Sequence, residues 1–113
     1  MSAEQVFFLH PGAAQDIGDI WEFIADDNPL AARRVREDIL ETIQRLFAFP
    51  RQGHRRPDLT SLPLRFQRVR DYLIAYADQQ PLVVIAVLHG RRSPRVIAAV
   101  LRERHAGPRD KAT

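Results

Sequence analysis

Residues 82–92 read Leu-Val-Val-Ile-Ala-Val-Leu-His-Gly-Arg-Arg. Apolar side chains at every position from Leu82 to Leu88 suit a strand covered on both faces, because a half-solvated strand alternates polar with apolar residues. This places Leu82 to His89 centrally in a sheet, ended by Gly90-Arg91-Arg92. Upstream, Tyr72 to Ala77 reads as a strand with Tyr72, Ile74 and Tyr76 on one face, both tyrosines expected in the core. Asp78-Gln79-Gln80-Pro81 is short enough to join the two as a hairpin. Leu64 to about Arg70 gives a further strand. Pro50 to Pro63, with three Pro, one Gly and no periodicity, reads as a surface loop.

Helical spacing governs the first half. Ile17, Ile20, Trp21 and Ile24 recur at i, i+3, i+4 and i+7 between Ala13 and about Asp26, with Asp16, Asp19 and Glu22 off the stripe. That stripe places Trp21 and Ile24 over the strand 82–88. Asn28 as cap and Pro29 at the first helical position open a second helix, whose stripe runs through Ala32, Val35, Ile39, Ile43 and Leu46. The two helices form a hairpin. Gln5 to His10 precedes them as a short strand ended by Pro11-Gly12. After the central strand, Ser93 as cap and Pro94 start a third helix with Val96, Ile97, Val100 and Leu101 at helical spacing to about Glu103. The expected fold class is α+β, β-α-α-β-β-β-α, with a helical hairpin on one face of a small, mostly antiparallel sheet. Residues 1–104 form one domain, and 105–113 a polar, frayed tail.

Composition narrows the function classes. A chain of 113 residues with 45% hydrophobic and 27% charged residues is that of one soluble globular domain. It has no cysteine, which excludes disulfides, thiolate nucleophiles and cysteine-bound zinc. No apolar run approaches the roughly 20 residues of a membrane span, and no basic-then-apolar leader opens the chain, so a cytoplasmic location without membrane association is expected. His10, His54, His89 and His105 lack metal-ligand spacing, and no phosphate-cradling or nucleophile-elbow motif is present, so neither metal nor cofactor is expected.

Charge is polarised along the chain. Residues 1–50 carry four Arg against nine acids, a net −5, whereas residues 51–113 carry twelve Arg and Lys111 against five acids, a net +8. The Arg bias suits bidentate pairing with carboxylate or phosphate, implying a polyanion or acidic partner, although a GC-rich genome also replaces Lys by Arg. Arg51, Arg55 and Arg56 lie on the loop, Arg65, Arg68 and Arg70 on the next strand, and Arg91, Arg92 and Arg95 after the central strand. Strand ends can bring some of these to one edge, or leave them solvated. His89 can pack and hydrogen-bond there, or serve as acid or base beside two cations.

These segments carry a resemblance. Ala14-x-x-Ile17-x-x-Ile20-x-x-Phe23-Ile24, then Ala32, and a helix ending at Phe49-Pro50-x-x-Gly53 resemble the first half of the RelE/ParE superfamily of bacterial toxins. Leu64-Arg65, Tyr72-Leu73-Ile74-x-Tyr76 and Val84-Ile85-x-Val87-Leu88-His89-Gly90-Arg91-Arg92 resemble the second half, so the likeness spans about residues 6–103. It implies a RelE-like fold and the toxin of a type II toxin–antitoxin (plasmid stabilisation) system, neutralised by a cognate acidic antitoxin. ParE-like members inhibit DNA gyrase; RelE-like members cut messenger RNA on the ribosome. The Leu88-His89 strand ending, the lack of any Tyr after Tyr76 and a single Lys, at 111, favour the ParE branch and a non-enzymatic inhibitor. The ribonuclease alternative would use His89, Arg91, Arg92 and Arg65. Antitoxin or target would be bound through Arg65, Arg68, Arg70, Arg91, Arg92 and Arg95. Operator DNA would be reached only through the antitoxin, because no helix has a basic recognition face.

Overall fold

The computed structural model describes residues 7–112. The elements are β1 (Phe7–Leu9), α1 (Pro11–Ala25), α2 (Pro29–Ala48), β2 (His54–Arg55), β3 (Arg65–Val69), β4 (Tyr72–Ala77), β5 (Leu82–His89) and α3 (Pro94–Ala112). The sheet order is β1-β5-β4-β3-β2, with β1 parallel to β5 and all other pairs antiparallel. The α+β class, the helical hairpin and the bounds of β4 and β5 agree with the sequence reading, and the element order roughly matches a RelE-like fold.

Both faces of β5 are covered. Leu82, Val84 and Val87 join Ile17, Ile39, Ile43 and Leu46 of the hairpin in one core cluster. Ile85, Ala86 and Leu88 join Ile97 and Leu101 of α3, with Leu59 and Leu64 of the preceding loop, in a second cluster. Strict alternation would send Ile85 and Val87 to one face. A register shift opposite Ala75/Tyr76 makes Ile85 an extra residue, because Ala75 pairs with Ala86 while Tyr76 pairs with Val84. A strand that is apolar throughout hides this bulge from sequence inspection.

The caps behave as their residue types dictate. Asn28 Oδ1 accepts from the Ala31 N–H at 3.0 Å and Pro29 starts α2. Its whole expected stripe, Ala32, Val35, Ile39, Ile43 and Leu46, is buried. At α1 the cap is His10, whose Nδ1 accepts from the Gly12 N–H at 2.8 Å, so Pro11 begins the helix as well as ending the strand. His10 Nε2 is buried without a partner.

β1 is too short to pair all of β5. Its last register position is Leu9 with Val84, followed by the His10 N–H donating to the Val84 carbonyl. Beyond it, Asp16 of α1 accepts from the Val87 N–H at 2.9 Å, and Arg104 of α3 donates to the Ile85 carbonyl at 3.2 Å. Asp16 and Arg104 also pair with each other through two contacts, at 2.7 and 3.1 Å. Neither lay in any recognised motif.

Four expectations are corrected. Trp21 is half-buried and outside both core clusters; it lines shallow clefts with Pro29, Leu30 and Arg33 and with Gly18 and Arg36. Its place on the helix lies at the edge of the buried face centred on Ala13, Ile17 and Ile24. The loop 50–63 contains β2, two exposed residues with no apolar pattern to announce them. Helix α3 passes the expected end near Glu103 and takes in residues read as tail, up to Ala112. Of the first strand only Phe7–Leu9 is described as strand; His10 has become the cap, and Gln5 and Val6 lie outside the described residues.

Burial sets the expected mutational costs. Ile39→Ala, at a fully buried site, is expected to cost about 2–5 kcal/mol. Trp21→Ala, at the half-buried site, should cost less than Ile39→Ala despite removing more atoms, which urea titrations of both variants check.

The His10 cap predicts a pH dependence. Burial, and then the Arg104 guanidinium, lower the pKa of the imidazole below its ordinary 6.5, opposed by Asp16. The unfolded chain therefore binds the His10 proton more readily, and stability falls as pH drops below about 6.5 until the lowered folded-state value is passed. Melting temperatures at stepped pH should show this loss, and His10→Asn, which keeps a cap acceptor without titrating, should flatten it.

Candidate functional site

One end of the sheet gathers most of the expected basic residues. Val69 pairs with Tyr72, so Arg70-Asp71 is a two-residue turn, and Arg70 adopts a left-handed φ of 55°. Such a turn favours Gly or Asn; Arg70 holds it while pairing through Nε with Asp38 of α2 at 2.6 Å. The Gly90 N–H donates to the Asp71 carbonyl at 2.8 Å, docking the segment after β5 onto this turn. A Cβ at position 90 would lie 3.3 Å from that carbonyl oxygen and 3.6 Å from the Arg68 guanidinium, so glycine permits the approach.

His89 completes the corner. Its Nδ1 accepts from the Arg91 N–H at 3.0 Å, and its ring stands edge-on to Tyr72, with centroids 5.3 Å apart at 72°. Burial raises the Tyr72 hydroxyl pKa above its ordinary value, with Asp71 adding to the shift. Ser93 Oγ accepts from the Val96 N–H, the expected cap of α3.

Arg68, Arg70, His89, Arg91 and Arg92 therefore share this end, with Arg95 in the first turn of α3. Arg68, Arg91, Arg92 and Arg95 are exposed and have no carboxylate partner among the described residues. Arg65 stands apart. It pairs with Tyr76 at the opposite end of β3, about 13 Å away along the strand at roughly 3.3 Å per residue. There it donates to Asp78 at 2.7 Å and to the Gly53 carbonyl at 2.9 Å. The grouping of Arg65 with His89, Arg91 and Arg92 is thus not supported by their placement, and Arg65 serves as a structural strut. Sequence reading missed Asp38, which lies far from Arg70 in the chain and on a helix face with other acids.

The family model for the ParE toxin of type II toxin–antitoxin systems (parDE) matches residues 7–94. The chain belongs to this family. The match takes in β1 to β5, the helical hairpin and the corner carrying His89, Arg91 and Arg92, and stops as α3 begins. Membership in the ParE family implies an antitoxin partner. No curated protein matches the chain. No group of three or more His, Asp or Glu that could hold a metal occurs among the described residues, and no helix there is long and apolar enough to cross a membrane. What this ParE-family corner offers chemically is a set of fixed backbone turns carrying uncommitted guanidinium groups, suited to carboxylate or phosphate contacts.

The strained turn can be probed directly. Arg70→Ala loses the Asp38 pair and keeps a side chain at positive φ, whereas Arg70→Gly loses the same exposed pair but relaxes the backbone. The Gly variant is expected to be more stable than the Ala variant by about 1 kcal/mol in chemical denaturation, the reverse of their order at an ordinary site.

Proposed function

We propose that this toxin arrests growth by binding DNA gyrase in the cytoplasm, without itself catalysing a reaction, and that a cognate acidic antitoxin neutralises it. The His89 geometry is the observation that carries this reading. With Nδ1 accepting the Arg91 N–H, the proton of the neutral imidazole is assigned to Nε2. A metal-independent RNA cleavage needs a base to take the 2′-hydroxyl proton, whereas in this geometry the Nδ1 lone pair of His89 is engaged by the Arg91 N–H. The residue acts as a brace for the turn that presents Arg91 and Arg92.

Arg68, Arg91, Arg92 and Arg95, without carboxylate partners among the described residues, fit a carboxylate-rich partner surface. The exposed Leu30, which shares a shallow cleft with Trp21, and the exposed Phe23, which lines a separate cleft with Ile24 and Ala31, offer an amphipathic antitoxin segment apolar contacts. In the ribonuclease alternative the same Arg groups would hold a phosphate while His89 moved a proton, which requires its Nδ1 bond to the Arg91 N–H to open.

Three variants separate the two. In an inhibitor, His89→Gln should retain growth arrest and inhibition of gyrase supercoiling, while Arg91→Glu with Arg92→Glu abolishes both through charge reversal. In a ribonuclease, His89→Gln should lower cleavage of ribosome-bound messenger RNA on the order of 10²–10⁴-fold. Wild-type cleavage of such RNA, with toxicity lost in folded His89→Gln, would overturn the proposal.

A further inference from the structure

The turn between α2 and β2 is fastened to the sheet through one peptide group on each side of Gly53. The Gly53 N–H donates to the Tyr76 hydroxyl at 2.9 Å, and that hydroxyl donates to the Pro50 carbonyl at 2.7 Å. The Gly53 carbonyl accepts from Arg65, itself held by Asp78. Tyr76 is fully buried. The Gln52 N–H closes on the Phe49 carbonyl at 3.0 Å, and its side chain reaches Gln67. A Cβ on residue 53 would stand 2.6 Å from the Tyr76 hydroxyl and 2.8 Å from the Phe66 carbonyl oxygen, so the arrangement requires glycine.

What this fixed turn presents is unusual for its surroundings. Phe49 is 64% exposed, and Arg51, His54 and Arg55 are all exposed. Residues 42–57 contain four Arg and no Asp or Glu. Neighbouring Arg56 and Arg65 are paired with Asp58 and Asp78, whereas Arg51 and Arg55 have no carboxylate partner among the described residues. Phe49, Arg51 and Arg55 are thus all exposed on one short segment whose backbone is fastened to the sheet at Gly53. Register places the turn away from the Arg91–Arg92 corner, because Arg55 pairs with Arg65 and Arg65 with Tyr76, whereas His89 pairs with Tyr72.

We infer that the 49–55 turn is a docking surface for single-stranded nucleic acid, with Arg51 and Arg55 meeting phosphates and Phe49 stacking on a base. Guanidinium groups suit phosphate oxygens, and an exposed ring beside them suits an unpaired base of any identity. The rigid mount lowers the ordering cost of binding. Recognition here is independent of sequence and does not require gyrase.

Fluorescence anisotropy with a labelled oligothymidylate of about 15 nucleotides, at stepped salt, tests it on the purified chain. Arg51→Gln with Arg55→Gln should weaken binding tenfold or more and reduce the slope of log K against log salt by about 1.4, the release expected for two phosphates. Arg51→Lys with Arg55→Lys should keep most of that slope. Phe49→Ala should weaken binding about 5–100-fold at unchanged slope. All these positions are exposed, so circular dichroism and melting temperature should match wild type. Wild-type affinity in the double Gln variant, or a larger loss in Arg91→Gln with Arg92→Gln, would place the contact elsewhere and overturn the inference. Unchanged binding by Phe49→Ala, or tighter binding of polyglutamate than of the oligonucleotide, would also overturn it, the latter marking the turn as a protein-docking surface.

Discussion

A strand at the centre of a sheet must have its backbone groups paired along both edges, and β5 meets this demand only with side-chain help. Pairing with β1 stops at Val84, leaving the Ile85 carbonyl and the Val87 N–H without a strand partner on that edge. An unpaired buried backbone group costs as much as a lost hydrogen bond. Asp16 and Arg104 supply the missing acceptor and donor, and their mutual pairing ties a helix on one face of the sheet to a helix on the other. Both side chains are mostly buried. Removing one alone strands a charge, a loss on the order of 3–5 kcal/mol for such pairs. The layered arrangement of hairpin, sheet and α3 depends on this closure in addition to apolar burial.

The arginines divide by task. Arg104 closes the strand edge, Arg65 braces the turn at Gly53, and Arg70 holds a left-handed turn against α2. Those that fasten the fold have carboxylate partners. Arg68, Arg91 and Arg92 at one end of the sheet, and Arg51 and Arg55 at the other, have none among the described residues. Composition alone suggests one basic face, but antiparallel register distributes the groups between two ends.

Sequence patterns revealed what depends on periodicity and capping. The continuous apolar run of β5, the Asn28-Pro29 start of α2 and its buried stripe all follow from local rules. Hidden features depend on partners distant in the chain. β2 has two exposed residues and is held by Tyr76 and Arg65, so no alternation marks it. Trp21 satisfies the helical stripe, yet the hairpin packs a little to one side of it. Asp16 resembles any acid on a solvated helix face until Arg104 and the edge of β5 reach it. The basic corner was legible as residue types, whereas the position of Arg65 at the opposite end follows from strand pairing, which no local signal encodes.

The parallel pairing of β1 with β5 also constrains the order of events during synthesis. β1 leads the described fold, but its only strand neighbour is the last strand, and the Asp16–Arg104 closure joins positions 88 residues apart. Contacts this distant slow folding, because a long loop must close before they form. On the ribosome the hairpin emerges before any of the strands β3 to β5 that cover its apolar stripe, and the last of these follows on the order of several seconds later at roughly 5–20 residues per second. The nascent chain thus carries an unsatisfied amphipathic surface while β3 to β5 are being made. Any neighbour that shields that stripe in the interval acts as a folding chaperone, and must leave before the sheet can close over the same residues.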